Sequence, residues 1–142
     1  MRANHPAVVT AAVIVGAAVG TTGRATLGHA LPTASSGVPW ATLIANAVGA
    51  FLLGVLVEWI ARIGDTGSWR LARMGIGTGV MGGFTTYSSF ALETTRLLEG
   101  GHAAVGLGYA LGSLLVGIVC AGAGLWVGGR LPRPASRKAV AS

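Results

Sequence analysis

The chain has 142 residues, of which 52% are hydrophobic and only 10% are Asp, Glu, Lys or Arg, with a net charge of +6. An ordinary soluble domain carries about 25% charged residues and keeps a large surface in water, which ten basic and four acidic side chains cannot cover. Its 24 glycines follow no collagen period and stand among too much Val, Leu and Ala for disorder, so a membrane protein remains.

A helix needs about 20 apolar residues to cross the hydrocarbon core, and charged residues delimit four such intervals. Residues 3–23 contain no Asp, Glu, Lys or Arg, and neither do 25–57, 74–92 and 100–129. The second interval can cross only after Pro39. The predicted helices cover 6–31, 39–63, 70–99 and 102–130, followed by a basic tail at 131–142, all in one domain over 1–142. Linkers are punctuated by Pro32, Ser35, Ser36 and Gly37, then by Gly64, Asp65, Thr66 and Gly67, then by Gly100 and Gly101. The apolar start is not read as a cleaved signal, because no mature soluble domain follows it. Cys120 stands alone in an apolar run, which excludes a disulfide within one chain and points to a buried, inert thiol. The arginines are scattered at span edges, with no basic stripe interleaved with aromatics, so no nucleic-acid partner is expected.

Small residues recur at four-residue spacing in Gly16/Gly20, Gly75/Gly79, Gly108/Gly112 and Gly124/Gly128. Helices in lipid are not drawn together by a hydrophobic force, so close backbone approach through small residues helps them pack. The second span carries Asn46 at its middle, with Thr42 one turn earlier on the same face. An amide there faces either a water-filled vestibule or a partner helix, through a bond worth about 1 kcal/mol.

The third span holds Gly82, Gly83, Phe84, Thr85, Thr86, Tyr87, Ser88, Ser89 and Phe90 near its middle. Two glycines beside a β-branched pair are poor helix material. The segment is either a flexible Gly-rich helix or a break that bares carbonyls and amides at membrane depth. A break costs several kcal/mol per group unless protein, water or an ion satisfies them, and broken helices are where transporters and channels place ions. Glu93 follows Phe90 by three residues on one face. Glu58 and Trp59 read as a span end at the headgroup level. Ser113 is the hydroxyl deep in the fourth span, either bonded back to its own helix or lining a path. Arg24 is either a topology anchor or a vestibule cation.

These are hydroxyls, one amide and aromatic rings. The sequence has no His/Cys metal cluster, Ser-His-Asp set, phosphate loop or carboxylate pair within one span. That excludes the usual enzyme chemistries and fits ion passage, since donors without strong charge can replace the hydration of a small anion without trapping it.

At this point the sequence resembles the Fluc/CrcB family of fluoride channels. Residues 82–93, GGFTTYSSFALE, are similar to the family's GGFTTFSTF followed by a Glu three residues on. Residues 42–54, TLIANAVGAFLLG, resemble its second-helix pattern TLxVNxxGsFxxG, and residues 20–24, GTTGR, its GAxxR. The motifs fall in the right order and span essentially the whole chain, with a looser match through Tyr109 and Ser113. The resemblance implies an all-α membrane protein of four transmembrane helices, the third broken mid-membrane, in an antiparallel, dual-topology-type dimer. It implies two fluoride pores and a structural sodium ion at the dimer centre, held by the backbone carbonyls of Gly82 and Thr85 from both subunits. Asn46 would be the polar pore residue near the vestibule, and Phe90 a ring whose positive edge faces the anion. Ser88, Ser89 and Ser113 would form the hydroxyl track. Glu93 would lie beside it, Arg24 near a mouth, and Thr42 and Thr86 in support.

Two departures stand out. Tyr87 replaces the usual first Phe of the aromatic pair, adding an O–H to the pore lining, and Ser89 replaces the usual Thr. The charges are also lopsided. Four spans put Arg2, Arg62, Arg70, Arg73, Arg130, Arg133, Arg137 and Lys138 on one side and only Arg24 and Arg96 on the other. The positive-inside rule then places both termini in the cytoplasm. A homodimer inserting both ways up needs almost no bias, so this chain is expected to insert one way and pair with a related, oppositely oriented subunit. The function expected is passive export of cytoplasmic fluoride through the cell membrane, relieving fluoride toxicity. The alternatives are a four-helix proton-coupled multidrug exporter, which needs a titrating carboxylate at membrane depth, and a non-transporting scaffold subunit.

Overall fold

The computed structural model describes residues 5–34 and 37–132. Arg2, Arg133, Arg137 and Lys138 of the charge count, the linker serines Ser35 and Ser36, and the tail beyond Pro132 lie outside these residues. The described residues are all-helical, with no strand.

Helix α1 runs Pro6–Ala30. The His5 ring nitrogen accepts a bond from the Ala7 amide, and Pro6 stands in the first turn, where its missing N–H costs nothing. Helix α2 runs Trp40–Ile63, beginning after Pro39 and ending at Gly64, whose φ of 100° lies in the left-handed region that glycine tolerates. A short helix, α3 (Gly67–Ala72), leads directly into a π-helical segment, Arg73–Met81. One further turn, α4 (Gly82–Phe84), is followed by α5 (Tyr87–Glu99). A turn with Gly101 at φ 81° leads to α6, Ala103–Arg130.

Among the described residues, three helices are long and apolar enough to cross a membrane, namely α1, α2 and α6. Their outer faces carry large side chains in the open, with Val119 69% exposed, as expected where lipid rather than water is the solvent. The remaining stretch, 67–99, falls short as a single helix because it passes from α to π and back to α and is then interrupted at Thr85–Thr86.

Glycine faces set the packing. The α1 and π-segment backbones meet where Gly16 abuts the Gly75 carbonyl and Gly20 abuts the Val80 carbonyl, so a Cβ at either glycine would collide with main chain. The α2–α6 contact is built the same way: a Cβ at Gly54 would stand 2.6 Å from the Ala121 carbonyl oxygen, and Gly124 abuts that of Phe51. Three of the four small-residue pairs therefore work inside the bundle. Gly108 and Gly112 instead face open space.

Candidate functional site

The helix that began at Gly82 stops after one turn. Thr85 (φ −79°, ψ 157°) and Thr86 (φ −151°, ψ 122°) are both extended, and α5 restarts at Tyr87. The local sequence favours this step. Thr85 folds back on the preceding turn, its N–H donating to the Met81 carbonyl at 2.9 Å and its hydroxyl to the same oxygen at 2.8 Å. Thr86 then serves as the N-cap of α5, its Oγ1 accepting from the Ser89 N–H at 3.1 Å. Ser88 Oγ and Ser89 Oγ each lie 3.2 Å from the same hydroxyl.

Asn46 reaches in from α2 and takes both main-chain groups of Thr86. The Thr86 N–H donates to Asn46 Oδ1 at 2.8 Å, and Asn46 Nδ2 donates to the Thr86 carbonyl at 3.0 Å. Of the two sequence readings of Asn46, the interhelical bond is thus present, and the same half-buried side chain also lines a cavity. Arg24 Nε donates to the Gly83 carbonyl at 3.3 Å, with Thr21 Oγ1 at 3.5 Å from the same oxygen. The carbonyls of Gly82 and Thr85 accept no hydrogen bond among the described residues.

Beyond the step, Tyr87, Phe90 and Tyr109 form a row of tilted rings with centroids 6.0 and 5.4 Å apart. Tyr87 is 80% exposed, whereas Tyr109 is buried. Glu93 joins three helices: Oε1 accepts from Thr42 Oγ1 at 2.8 Å and Oε2 from the Tyr109 hydroxyl at 2.9 Å. Ser113, one turn past Tyr109, has its Oγ buried with no hydrogen-bond partner among the described residues, so the back-bond to its own helix is not made.

Ten of the twelve sequence-predicted residues line two neighbouring cavities, whereas Ser88 and Ser113 line neither, so Ser88, Ser89 and Ser113 are not brought onto one cavity wall. Asn46, Gly82, Thr85, Thr86, Tyr87 and Phe90 line an open cavity of about 570 Å³ between α2, the π-segment and α5. Arg24, Thr42, Ser89 and Glu93 line a second cavity of about 220 Å³ below the α1–α2 connection. Ser88 is exposed at the start of α5. Sequence reasoning gave Tyr109 only a loose motif match and missed Thr21. For Tyr109, the signal was a phenol in an otherwise apolar span, since a buried hydroxyl needs a partner.

Residues 11–125 match the family model described as CrcB-like protein, Camphor Resistance (CrcB). The chain belongs to the CrcB family. Among its CrcB relatives, the fluoride-specific ion channel FluC 1 of Cutibacterium acnes is 41% identical over 115 residues, covering 80% of each chain. FluC of Novosphingobium aromaticivorans is 42% identical over 84% of this chain and 91% of its own. FluC of Thermus thermophilus is 40% identical over 84% of this chain and 94% of its own. With its three long apolar helices, this CrcB protein is a multi-pass membrane protein.

Proposed function

We propose that this chain is a subunit of a passive, fluoride-specific channel that lets cytoplasmic fluoride leave the cell, and that it catalyses no reaction. The observation that carries the reading is the extended Thr85–Thr86 step held by Asn46, in a family whose curated relatives are named fluoride-specific ion channels. The step lies within the third crossing, near mid-membrane, and it supplies donors without strong charge beside an open path. Asn46 spends one N–H on Thr86 and retains a second for an ion. Phe90 and Tyr87 offer ring edges, whose partial positive charge suits a halide. Ser113, a buried hydroxyl with no partner among the described residues, is available further along, with Ser88 and Ser89 beside the step. Such groups replace hydration piece by piece and release the ion as readily.

The cavity of about 570 Å³ is a wide groove on one face of the monomer, and a second subunit packed there in antiparallel fashion would narrow it to ionic width. The same face carries the free Gly82 and Thr85 carbonyls. These are hard oxygen donors, and with the partner's they would hold a structural sodium ion, which would supply fixed positive charge at the dimer centre. The surplus of arginine at the ends of α2 and α6 favours cytoplasmic termini in the plasma membrane and a single insertion direction. That favours a related, oppositely oriented subunit over a second copy.

Expression in cells lacking their own fluoride export tests the function. Fluoride tolerance should rise with the wild-type chain, alone or with a co-expressed homologue, and not with Phe90→Ile. Tolerance unchanged in both settings refutes the reading. Carboxyl-terminal reporters found equally on both membrane faces refute fixed insertion.

A further inference from the structure

Four threonines of this chain turn their hydroxyls back onto their own helix. Thr22, Thr26, Thr85 and Thr94 each donate to the carbonyl four residues earlier, at 2.8 to 3.0 Å, as a helical threonine commonly does. Thr78 does not. It lies in the π-segment, where main-chain bonds run five residues rather than four, and its Oγ1 donates instead to the Met74 sulfur at 3.9 Å. A thioether is a weak acceptor, so this hydroxyl can turn to a better one at little cost.

A better acceptor can reach it. Thr78 is exposed on the wall of the cavity of about 570 Å³ that Asn46 also lines. The other threonine hydroxyls on that wall are committed, Thr85 to the Met81 carbonyl and Thr86 to the first turn of α5. Leu53 follows Asn46 on α2 by seven residues, about 10 Å, and Leu53 and Leu56 pack against Gly77. Thr78 thus stands about two turns from the Asn46–Thr86 step. Glu93 lies on the opposite side of the step, at the level of Thr42. Near Thr78 the groove is otherwise lined by Ala50, Leu53, Gly77 and Met81, none of which brings a side-chain donor. An anion crossing this half gives up hydration with little to replace it.

We propose that Thr78 is a further fluoride-contacting residue, whose hydroxyl leaves the Met74 sulfur for the ion and carries it through this half of the groove. The inference rests on the channel reading and adds a donor on the near side of the extended step, outside the 82–93 motif.

The test is fluoride efflux from proteoliposomes, using the conducting preparation (this chain alone or with its homologous subunit), together with melting and elution volume in detergent. Thr78→Val keeps the shape and removes the hydroxyl. It should lower efflux about tenfold, as loss of one hydrogen bond to a charged group does, with melting and elution unchanged. Thr78→Ser keeps the hydroxyl and should retain most of the efflux. Thr26→Val, which removes a hydroxyl bonded to its own helix, should conduct like wild type. Wild-type efflux in Thr78→Val overturns the inference and leaves the channel reading standing. So does a loss shared by valine and serine, or one accompanied by lower melting or later elution, because that marks a packing or subunit contact. No fluoride efflux from wild type in either preparation removes the channel reading, and this inference with it.

Discussion

Removing the Asn46 side chain should both loosen the fold and slow fluoride. In Asn46→Ala the Thr86 N–H and carbonyl lose their partners at 2.8 and 3.0 Å. A buried main-chain group left unpaired costs about 1–3 kcal/mol, so two cost about 2–6 kcal/mol. Asn46 is half-buried and lines the open groove, so water can reach part of the gap, which favours the lower half of that range. Against a total stability of about 5–15 kcal/mol, this should appear as a melting-point drop of at least about 5 °C for the purified protein in detergent. Asn46→Asp keeps an acceptor for the Thr86 N–H but sets a carboxylate against the Thr86 carbonyl. It should therefore melt near the alanine variant. Fluoride efflux should fall strongly in both. A wild-type melting point and efflux in Asn46→Ala would show that this amide holds neither the step nor the ion.

Ser113→Ala removes a buried hydroxyl with no hydrogen-bond partner among the described residues; melting should stay within about 1 kcal/mol of wild type while fluoride efflux falls, and a loss of stability without loss of efflux would contradict the assignment. Tyr109→Phe deprives Glu93 Oε2 of its donor and should cost about 1–3 kcal/mol in thermal unfolding, the range for leaving a buried polar group unpaired. Gly20→Val pushes a side chain into the Val80 carbonyl and should prevent a well-packed α1, seen as loss of monodisperse protein in size-exclusion chromatography. The outward-facing Gly112→Val should leave the monomer's melting within about 1 kcal/mol of wild type.

Much of the helical architecture was legible because charge is so rare. Each charged residue ends an apolar run, and three of the four intervals became the long helices α1, α2 and α6. The interrupted character of 82–90 was legible from Gly82, Gly83 and the Thr85–Thr86 pair, whose side chains prefer capping and extended backbone to helix interior. The π-segment Arg73–Met81 was not. Its glycines permit a wider helix, but Gly75 and Gly79 meet α1 at Ala12, Val13 and Gly16 while Gly77 meets Leu53 and Leu56 of α2, a tertiary fact that spacing does not encode. Spacing likewise did not show that Gly108 and Gly112 face outward, since a four-residue repeat names a face without naming its neighbour. Candidate residues could be chosen one by one for being polar in an apolar run. Their pairing, with Asn46 holding Thr86 and Glu93 bridging Thr42 to Tyr109, needed helices brought together from 16 to 51 residues apart in sequence.

Selective fluoride passage is most directly tested by loading proteoliposomes, containing this chain with or without its homologous subunit, with fluoride in one set and chloride in another, then following each anion with an ion-selective electrode. Rapid fluoride efflux, with chloride retained, is the expected result. Equal release of both anions, or of neither, would contradict a path built from one amide, ring edges and hydroxyls around an extended Thr85–Thr86 step.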